Sequence, residues 1–329
     1  MVHGAPREKP VVAVLVREHA QRPPGLEPVA EVAAVRYAVS VEELQDALDD
    51  ADVLLAWDFR SMKLREAWPH ARRLRWVHVA GAGVDTLLFP ALASSRVILT
   101  NSRGVFDRAI AEYVLGLMLA FGKDLPATFD LQRRHAWRHR ETAPLAEQTV
   151  LVVGAGGIGR AIARLARCVG MHVVGVARSA RPDDPDFGQV AAARDLGAVV
   201  GAADYVVIAA PLTPETKGMF GAAVLDRMKP TARLINVGRG PIVDEAALVG
   251  ALRSNRIAGA ALDVFNEEPL PTGHPFWDLP GVIVSPHMSG DFTGWAAALS
   301  QLFVANLLRW RRAEPLLNVV DKRRGYVPT

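Results

Sequence analysis

Cysteine is nearly absent from the sequence. Cys168 is the only one in 329 residues, so no disulfide can form within the chain and no multi-cysteine metal site exists. A reducing, cytoplasmic setting fits that usage, no metal is expected, and Cys168 itself, on a helical pattern, reads as a small buried apolar residue. Lysine is also scarce: six of the 38 basic residues are Lys and 32 are Arg. Neither sign of charge dominates. The formal net charge is +3, too small an excess to mark a nucleic-acid surface. Long apolar runs are missing too. The stretch around Tyr113–Phe121 falls far short of the ~20 residues of a membrane span, and residues 11–16 are too few for a signal-peptide core.

What is present is a globular composition, 50% hydrophobic and 22% charged, enough to build a large core. At 329 residues the chain is long enough for two domains. Its 27 Gly and 22 Pro imply many turns, without a low-complexity tract. With the total charge so small, the question is whether particular arginines are placed to read an anion. The guanidinium never titrates away and grips carboxylate or phosphate in a bidentate fork.

Short β-branched runs alternate with Ala/Leu/Arg segments, the pattern of parallel sheets with crossover helices. The first hundred residues offer strands at 11–16, 32–39, 53–56, 76–79 and 97–100. Ser40-Val41-Glu42-Glu43 reads as a capping box that opens a helix. This set suggests a flavodoxin-like unit. A long apolar helix is expected over 110–121. After it comes a polar stretch to Gln148, rich in Arg and His, which reads as a solvated face or as a subunit contact anchored by Trp137. A second series follows, with strands at 149–153, 172–177, 205–209, 233–237, 259–263 and 282–285. Six strands make a doubly wound domain. A last helix is expected over 295–310.

The run Thr149–Val153 leads into Gly154-Ala155-Gly156-Gly157-Ile158-Gly159 and then a helical pattern. A G-x-G-x-x-G between a strand and a helix is a dinucleotide-binding turn. Gly154 permits the tight turn, Gly156 lets a pyrophosphate approach the backbone, and Gly159 lets helix and strand pack closely. The next strand ends in Arg178-Ser179, with Arg181 nearby and no acid before Asp183. An acid there would bind ribose hydroxyls and repel a 2′-phosphate, whereas Arg178 and Ser179 would hold one. NADP is therefore favoured over NAD.

Three later strands end in segments that converge on one crevice, since ligands of open α/β sheets sit beyond the strands' carboxyl ends. They are Asn236–Gly240, Leu262–Leu270 and Ser285–Gly290. Hydride delivery to a carbonyl carbon leaves an alkoxide that needs a proton, and His287 is the natural donor. Glu268 would orient its imidazole. Arg239, between two glycines, would hold a substrate carboxylate and polarise the ketone. Asp263 is expected to orient the nicotinamide or to support the site from behind. Trp57 and Phe59 follow a first-domain strand and are candidates to wall the substrate pocket.

These segments, with Val79–Asp85, Thr100–Gly104, Ala111-Glu112 and Pro211–Thr216, resemble the D-isomer-specific 2-hydroxyacid dehydrogenase family from Val11 to about Val319. The resemblance implies a Rossmann-type doubly wound dinucleotide-binding domain inserted into a split flavodoxin-like substrate domain, with boundaries at 1–101, 102–290 and 291–329. It implies a homodimer, Arg239 as carboxylate anchor, Glu268 as partner of the histidine, and His287 as acid/base. Ala82 and Gly83 are expected to bind substrate through backbone, with Trp57 beside them. Asp263 matches the nicotinamide contact. Gly157, Ile158, Pro211, Thr216, Val237 and Gly238 complete the expected cofactor-binding set. Arg178-Ser179 is similar to the glyoxylate/hydroxypyruvate reductase branch.

The long C-terminal extension of some phosphoglycerate dehydrogenases is not seen, while Arg60, Arg96 and Arg103 leave a phosphorylated substrate open. The expected activity is therefore reduction of a small 2-oxo acid to its D-2-hydroxy acid, without nucleic acid or membrane partners. Two alternatives use the same scaffold. One is a nucleotide-sensing protein similar to the C-terminal-binding corepressors, and the other is a phosphite or formate dehydrogenase-like enzyme.

Overall fold

Five apolar runs of the N-terminal third form strands, in a computed structural model that describes residues 9–328. They are β1 (Val11–Leu15), β2 (Ala34–Ala38), β3 (Val53–Ala56), β4 (Trp76–Val79) and β5 (Ile98–Thr100). β1, β3 and β4 are buried at every position. Strands covered on both faces read as unbroken apolar runs, which is why these three stand out in the sequence. All pairings are parallel, in the order β2-β1-β3-β4-β5, the flavodoxin-like arrangement. The largest boundary difference from expectation is at β2: Glu27–Val32 is a helix, so the second strand starts at Ala34. Pro28 suits that helix's first turn because its φ is already helical. The capping box forms: Ser40 Oγ accepts from Glu43 N–H (3.2 Å), and Glu43 Oε2 accepts from Val39 N–H (2.9 Å).

The second sheet has eight strands where six were expected. These are β6 (Thr149–Val153), β7 (His172–Ala177), β8 (Arg181–Asp184), β9 (Gly188–Ala192), β10 (Tyr205–Ile208), β11 (Arg233–Asn236), β12 (Gly259–Leu262) and β13 (Val282–Val284). Their order is β13-β12-β11-β10-β6-β7-β9-β8. β8 pairs antiparallel with β9 at the sheet edge, where its Pro182 costs no ladder hydrogen bond. Both added strands escaped the sequence reading because side-chain ion pairs help to fix them. Asp184, 5% exposed, accepts both guanidinium N–H groups of Arg160 (2.9 and 2.8 Å) from the helix Gly157–Cys168. That hydrogen bonding holds the Asp184 carboxyl below its usual range.

The chain divides into two compact units: Met1–Val105 with Phe292–Thr329, and Phe106–Asp291. Each has its own core. Leu15, Leu54, Val77 and Leu99 centre the first, and Leu151, Ile208, Leu234 and Leu262 the second. The long helix Trp295–Arg311 belongs to the first unit, where Phe303 stacks on Trp76 with ring centroids 5.4 Å apart. In the second unit the apolar helix runs Asp107–Gly122 and is followed by Leu125–Arg133. Trp137 lies beyond them and is fully exposed, at 102%. Cys168 was expected to fill a buried apolar position. Instead it ends its helix on the exposed face. The polar residues 1–8 lie outside the described residues. Among the described residues no helix is long and apolar enough to cross a membrane, and no cluster could hold a metal ion.

Candidate active site

The turn after β6 leaves its backbone open to close approach on one side. Gly154 has φ +111°, and a Cβ on it would lie 2.6 Å from the backbone of Ala209. Gly159 packs against the carbonyl of Gly154, so it too has no room for a side chain. Gly156 differs from both. A Cβ there would meet nothing within 4 Å, so that side of the turn is open for a ligand. The helix Gly157–Cys168 starts here, and its first N–H groups have no intrahelical partner. The residues present therefore fit the pyrophosphate of a dinucleotide. The Asp107 carboxylate stands where a Cβ of Gly157 would lie, so a larger residue at 157 would have to displace that side chain.

Arg178 and Ser179 are exposed just past the end of β7. Arg178 lies near enough to Glu215 to favour its ionised form. That carboxyl sits below its usual range mainly through a hydrogen bond from the Thr213 side chain, with Arg178's charge adding to it. Glu215 belongs to the segment after β10, where Pro211 and Thr216 also lie. The Thr216 hydroxyl closes that turn by donating to the Pro211 carbonyl (2.8 Å) and accepting from Thr213 N–H (2.8 Å).

β11, β12 and β13 are parallel neighbours, so their carboxyl ends lie side by side. At β11 the Asn236 side chain shapes the turn: its Oδ1 accepts from Gly238 N–H (3.1 Å) and its Nδ2 donates to the Arg239 carbonyl (3.0 Å). Val237 and Gly238 are buried, and a Cβ on Gly238 would lie 2.8 Å from Ala210 O. Arg239 is half-buried and donates from one NH to the Gly238 carbonyl (2.8 Å).

At β12 the Asp263 carboxylate is 1% exposed and holds the next loop. Oδ1 accepts from Ser285 Oγ–H (2.7 Å) and Met288 N–H (2.9 Å), and Oδ2 accepts from Ser289 N–H (2.9 Å). Between those anchors lies His287, at φ +54°. Its Nδ1 is 2.7 Å from Glu268 Oε2, and Glu268 Oε1 accepts from Phe265 N–H (3.1 Å). An acceptor carboxylate on Nδ1 fixes the ring's orientation and tautomer. His287 Nε2 has no partner among the described residues, and both side chains are 27% exposed. Arg239, Glu268, His287 and Asp263 are thus brought to one end of one sheet. Asn236 had no role assigned from sequence. Its signal is an Asn at a strand end two residues before a glycine.

In the first unit, the loop after β4 carries Ala80–Gly83. Phe59 lies over Gly81, 3.1 Å from where a Cβ would be. Ser102 N–H donates to Gly81 O (2.9 Å), and Asn101 Nδ2 donates to Ala82 O (2.5 Å). Trp57, beyond β3, stacks on Trp295 with centroids 6.3 Å apart at 12°. Trp295 was not singled out from sequence, since an aromatic at the start of an apolar helix carries no signal of its own. Arg103 turns onto the Val327 and Pro328 carbonyls (3.4 and 3.1 Å). Arg96 precedes β5 and so sits at the opposite end of the sheet from the Ala82–Gly83 loop.

A glycine-rich strand–helix turn and a histidine–carboxylate pair, both at the carboxyl edge of one doubly wound sheet, are the parts of a dinucleotide-dependent dehydrogenase. The family model for the D-isomer specific 2-hydroxyacid dehydrogenase, NAD binding domain, matches residues 115–289. The glyoxylate/hydroxypyruvate reductase B of Pectobacterium carotovorum is 37% identical over 259 residues, covering 77% of this chain and 80% of that protein. The D-3-phosphoglycerate dehydrogenase of Methanocaldococcus jannaschii is 32% identical over 298 residues, covering 90% of this chain, which spans only 56% of that protein's length. Among solved structures, the NADPH-dependent glyoxylate/hydroxypyruvate reductase of Sinorhizobium meliloti, in complex with NADP and sulfate, superposes with a TM-score of 0.84. It is 29% identical, covering 97% of this chain and 100% of that one. The chain belongs to the D-isomer specific 2-hydroxyacid dehydrogenase family. As a member it is an NAD(P)-dependent oxidoreductase acting on CH–OH groups.

Proposed function

We propose that this chain reduces small 2-oxo acids of the glyoxylate and hydroxypyruvate kind to their 2-hydroxy acids, with NADPH favoured over NADH. The observation that carries this reading is the His287–Glu268 pair at 2.7 Å, with Nε2 of the ring left without a partner among the described residues. When bound, the nicotinamide supplies the hydride that adds to the substrate's carbonyl carbon. The protein's own part is to manage charge. His287 gives its Nε2 proton to the oxygen that becomes hydroxyl, and Glu268 steadies the imidazolium before the transfer. Arg239 anchors the carboxylate and polarises the carbonyl. Ala82 and Gly83 serve the carboxylate through their backbone, and Trp57 borders the substrate's side chain. Asp263 holds the His287 loop with three of its four acceptor positions, which leaves one for a nicotinamide amide.

The Phe106–Asp291 unit is assigned to the cofactor and the other unit to substrate recognition. Within the cofactor set, Gly154, Gly156, Gly157, Ile158 and Gly159 carry the pyrophosphate, with Pro211, Thr216, Val237 and Gly238 on the neighbouring strand ends. Arg178 and Ser179 take the 2′-phosphate. Solved relatives support that preference: the Xanthobacter autotrophicus enzyme, 31% identical, binds NADPH, and the Sinorhizobium meliloti enzyme is NADPH-dependent. A homodimer is the assembly this reading favours. Leu119, Leu125, Phe129 and Trp137 expose apolar surface on the second unit, at 38, 37, 53 and 102%. The lone exposed thiol fits a reducing cytoplasm. The test is oxidation of NADPH and NADH by the purified protein against a panel of 2-oxo acids, with phosphite and formate included in the reverse direction. Turnover with glyoxylate or hydroxypyruvate is expected, and its absence across the panel refutes the reading.

A further inference from the structure

Two consecutive peptide carbonyls after β4 are tied down by two consecutive residues after β5. Ser102 N–H donates to Gly81 O at 2.9 Å, and Asn101 Nδ2 donates to Ala82 O at 2.5 Å. These peptides are trans, and a trans peptide is planar, with C=O and N–H pointing opposite ways. Fixing the Gly81 carbonyl therefore aims the Ala82 N–H away from residues 101 and 102. Fixing the Ala82 carbonyl does the same for the Gly83 N–H. Neither amide donates to an acceptor among the described residues. Two adjacent N–H groups, held in place and unspent, suit the oxygens of a carboxylate.

The anchors are themselves immobilised. Asn101 is 3% exposed and Ser102 fully buried. Asn101 Oδ1 accepts from Arg103 N–H (3.2 Å), so the side-chain amide cannot flip without losing a bond at each end. Its backbone N–H donates to Asn318 O (3.2 Å). Ser102 Oγ–H donates to Val79 O (3.0 Å), which holds the same strand end from which the loop departs. His78 lies behind, with Nδ1 at 2.8 Å from Thr100 Oγ1 and Nε2 at 3.4 Å from Ser102 Oγ. Phe59 covers the Gly81 side of the loop.

We propose that Asn101 and Ser102 are positioning residues that turn the Ala82 and Gly83 amides outward as a two-donor receptor for the carboxylate of a small 2-oxo or 2-hydroxy acid. This rests on the reductase reading above. It also extends that reading, because the receptor's geometry is set by residues about twenty positions away in the chain that never touch the substrate. Their loss should act on substrate affinity and leave the cofactor untouched.

The experiment uses the full chain saturated with NADP+ and oxamate, an unreactive analogue of a 2-oxo acid. In the wild type, 15N-labelled Ala82 and Gly83 amide resonances should move on adding oxamate. Asn101→Ala should weaken oxamate binding ~10-fold, the size expected for losing one hydrogen bond in a charged site. Its affinity for NADP+ should stay within about twofold by the same measure, and unchanged amide resonances of the first unit away from residues 80–83 and 101–103 report that the variant is folded. Turnover should show KM rising more than kcat falls. Asn101→Asp should be worse than Asn101→Ala, since it sets an acceptor against the Ala82 carbonyl. Oxamate binding that leaves both amide resonances still, or that Asn101→Ala does not weaken, overturns the proposal and leaves the reductase reading standing. A wild type that neither binds oxamate nor oxidises NADPH with any 2-oxo acid overturns that reading, and this proposal with it.

Discussion

Each unit ends a parallel strand in a glycine-containing turn proposed to receive an anion on its backbone N–H groups, but the two turns are stabilised differently. The turn at Gly154–Gly159 works by the absence of side chains: Gly154 and Gly159 have no space for a Cβ, and a helix N-terminus supplies the donors. The turn at Gly81–Gly83 works by side-chain and backbone anchors brought from Asn101 and Ser102 on the neighbouring strand's end. The first kind is self-contained over six residues and is visible as a motif. The second exists only after β4 and β5 have paired. A further contrast follows. On the proposed reading, the second unit holds the groups that move a proton and bind the cofactor, while the first holds groups that shape a receptor. Substitutions in the two units should therefore fail in different ways.

The sharpest separation is at His287. His287→Gln should lower kcat ~1,000-fold, within the range for losing a general acid, and leave cofactor affinity unchanged by fluorescence titration. Arg178→Asp comes next. It removes a charge-assisted partner and adds repulsion, so the ratio of kcat/KM for NADPH over NADH should fall ~100-fold. Gly154→Ala places a Cβ 2.6 Å from the Ala209 backbone at φ +111°. It should weaken NADPH binding at least ~10-fold, and by more if the helix start shifts. A cofactor defect from Asn101→Ala of the same size as that from Gly154→Ala would break the comparison.

The smallest effect concerns stability. Burial keeps His78 neutral, its pKa pushed down to about 3. An unfolded histidine takes up its proton near ~6.5. Between those values the unfolded chain binds more protons, so stability falls as pH falls, by ~1.4 kcal/mol per pH unit. His78→Gln should flatten the acid limb of a urea-unfolding series between pH 6.5 and 4, with little change in kcat at neutral pH.

What was legible in the sequence follows the same division. β3, β4, β6 and β7 appeared with their correct bounds: β3 and, after Thr149, β6 as unbroken apolar runs, β4 and β7 as valine-rich runs that each include a histidine. β8 and β9 did not, because Arg160 and Asp184 secure that edge and no hydrophobic period marks it. The glycine turn, Arg239, Glu268 and His287 could be named from local context. Asn236 and the Trp57–Trp295 stack could not be given a role, since their partners are set by chain crossing and not by spacing. Cys168 shows the limit of composition: a small residue on a helix pattern was read as core and lies on the surface.

NADPH-dependent reduction of small 2-oxo acids is proposed to depend on the His287–Glu268 pair. The most direct test is kcat/KM for glyoxylate and hydroxypyruvate with NADPH and with NADH, measured on wild type and Glu268→Gln. The account predicts turnover of at least one of these acids, a higher value with NADPH, and a loss of ~10-fold or more in kcat for Glu268→Gln, as expected when a catalytic histidine loses its orienting carboxylate. No oxidation of either cofactor, or a Glu268→Gln enzyme as fast as wild type, would contradict it.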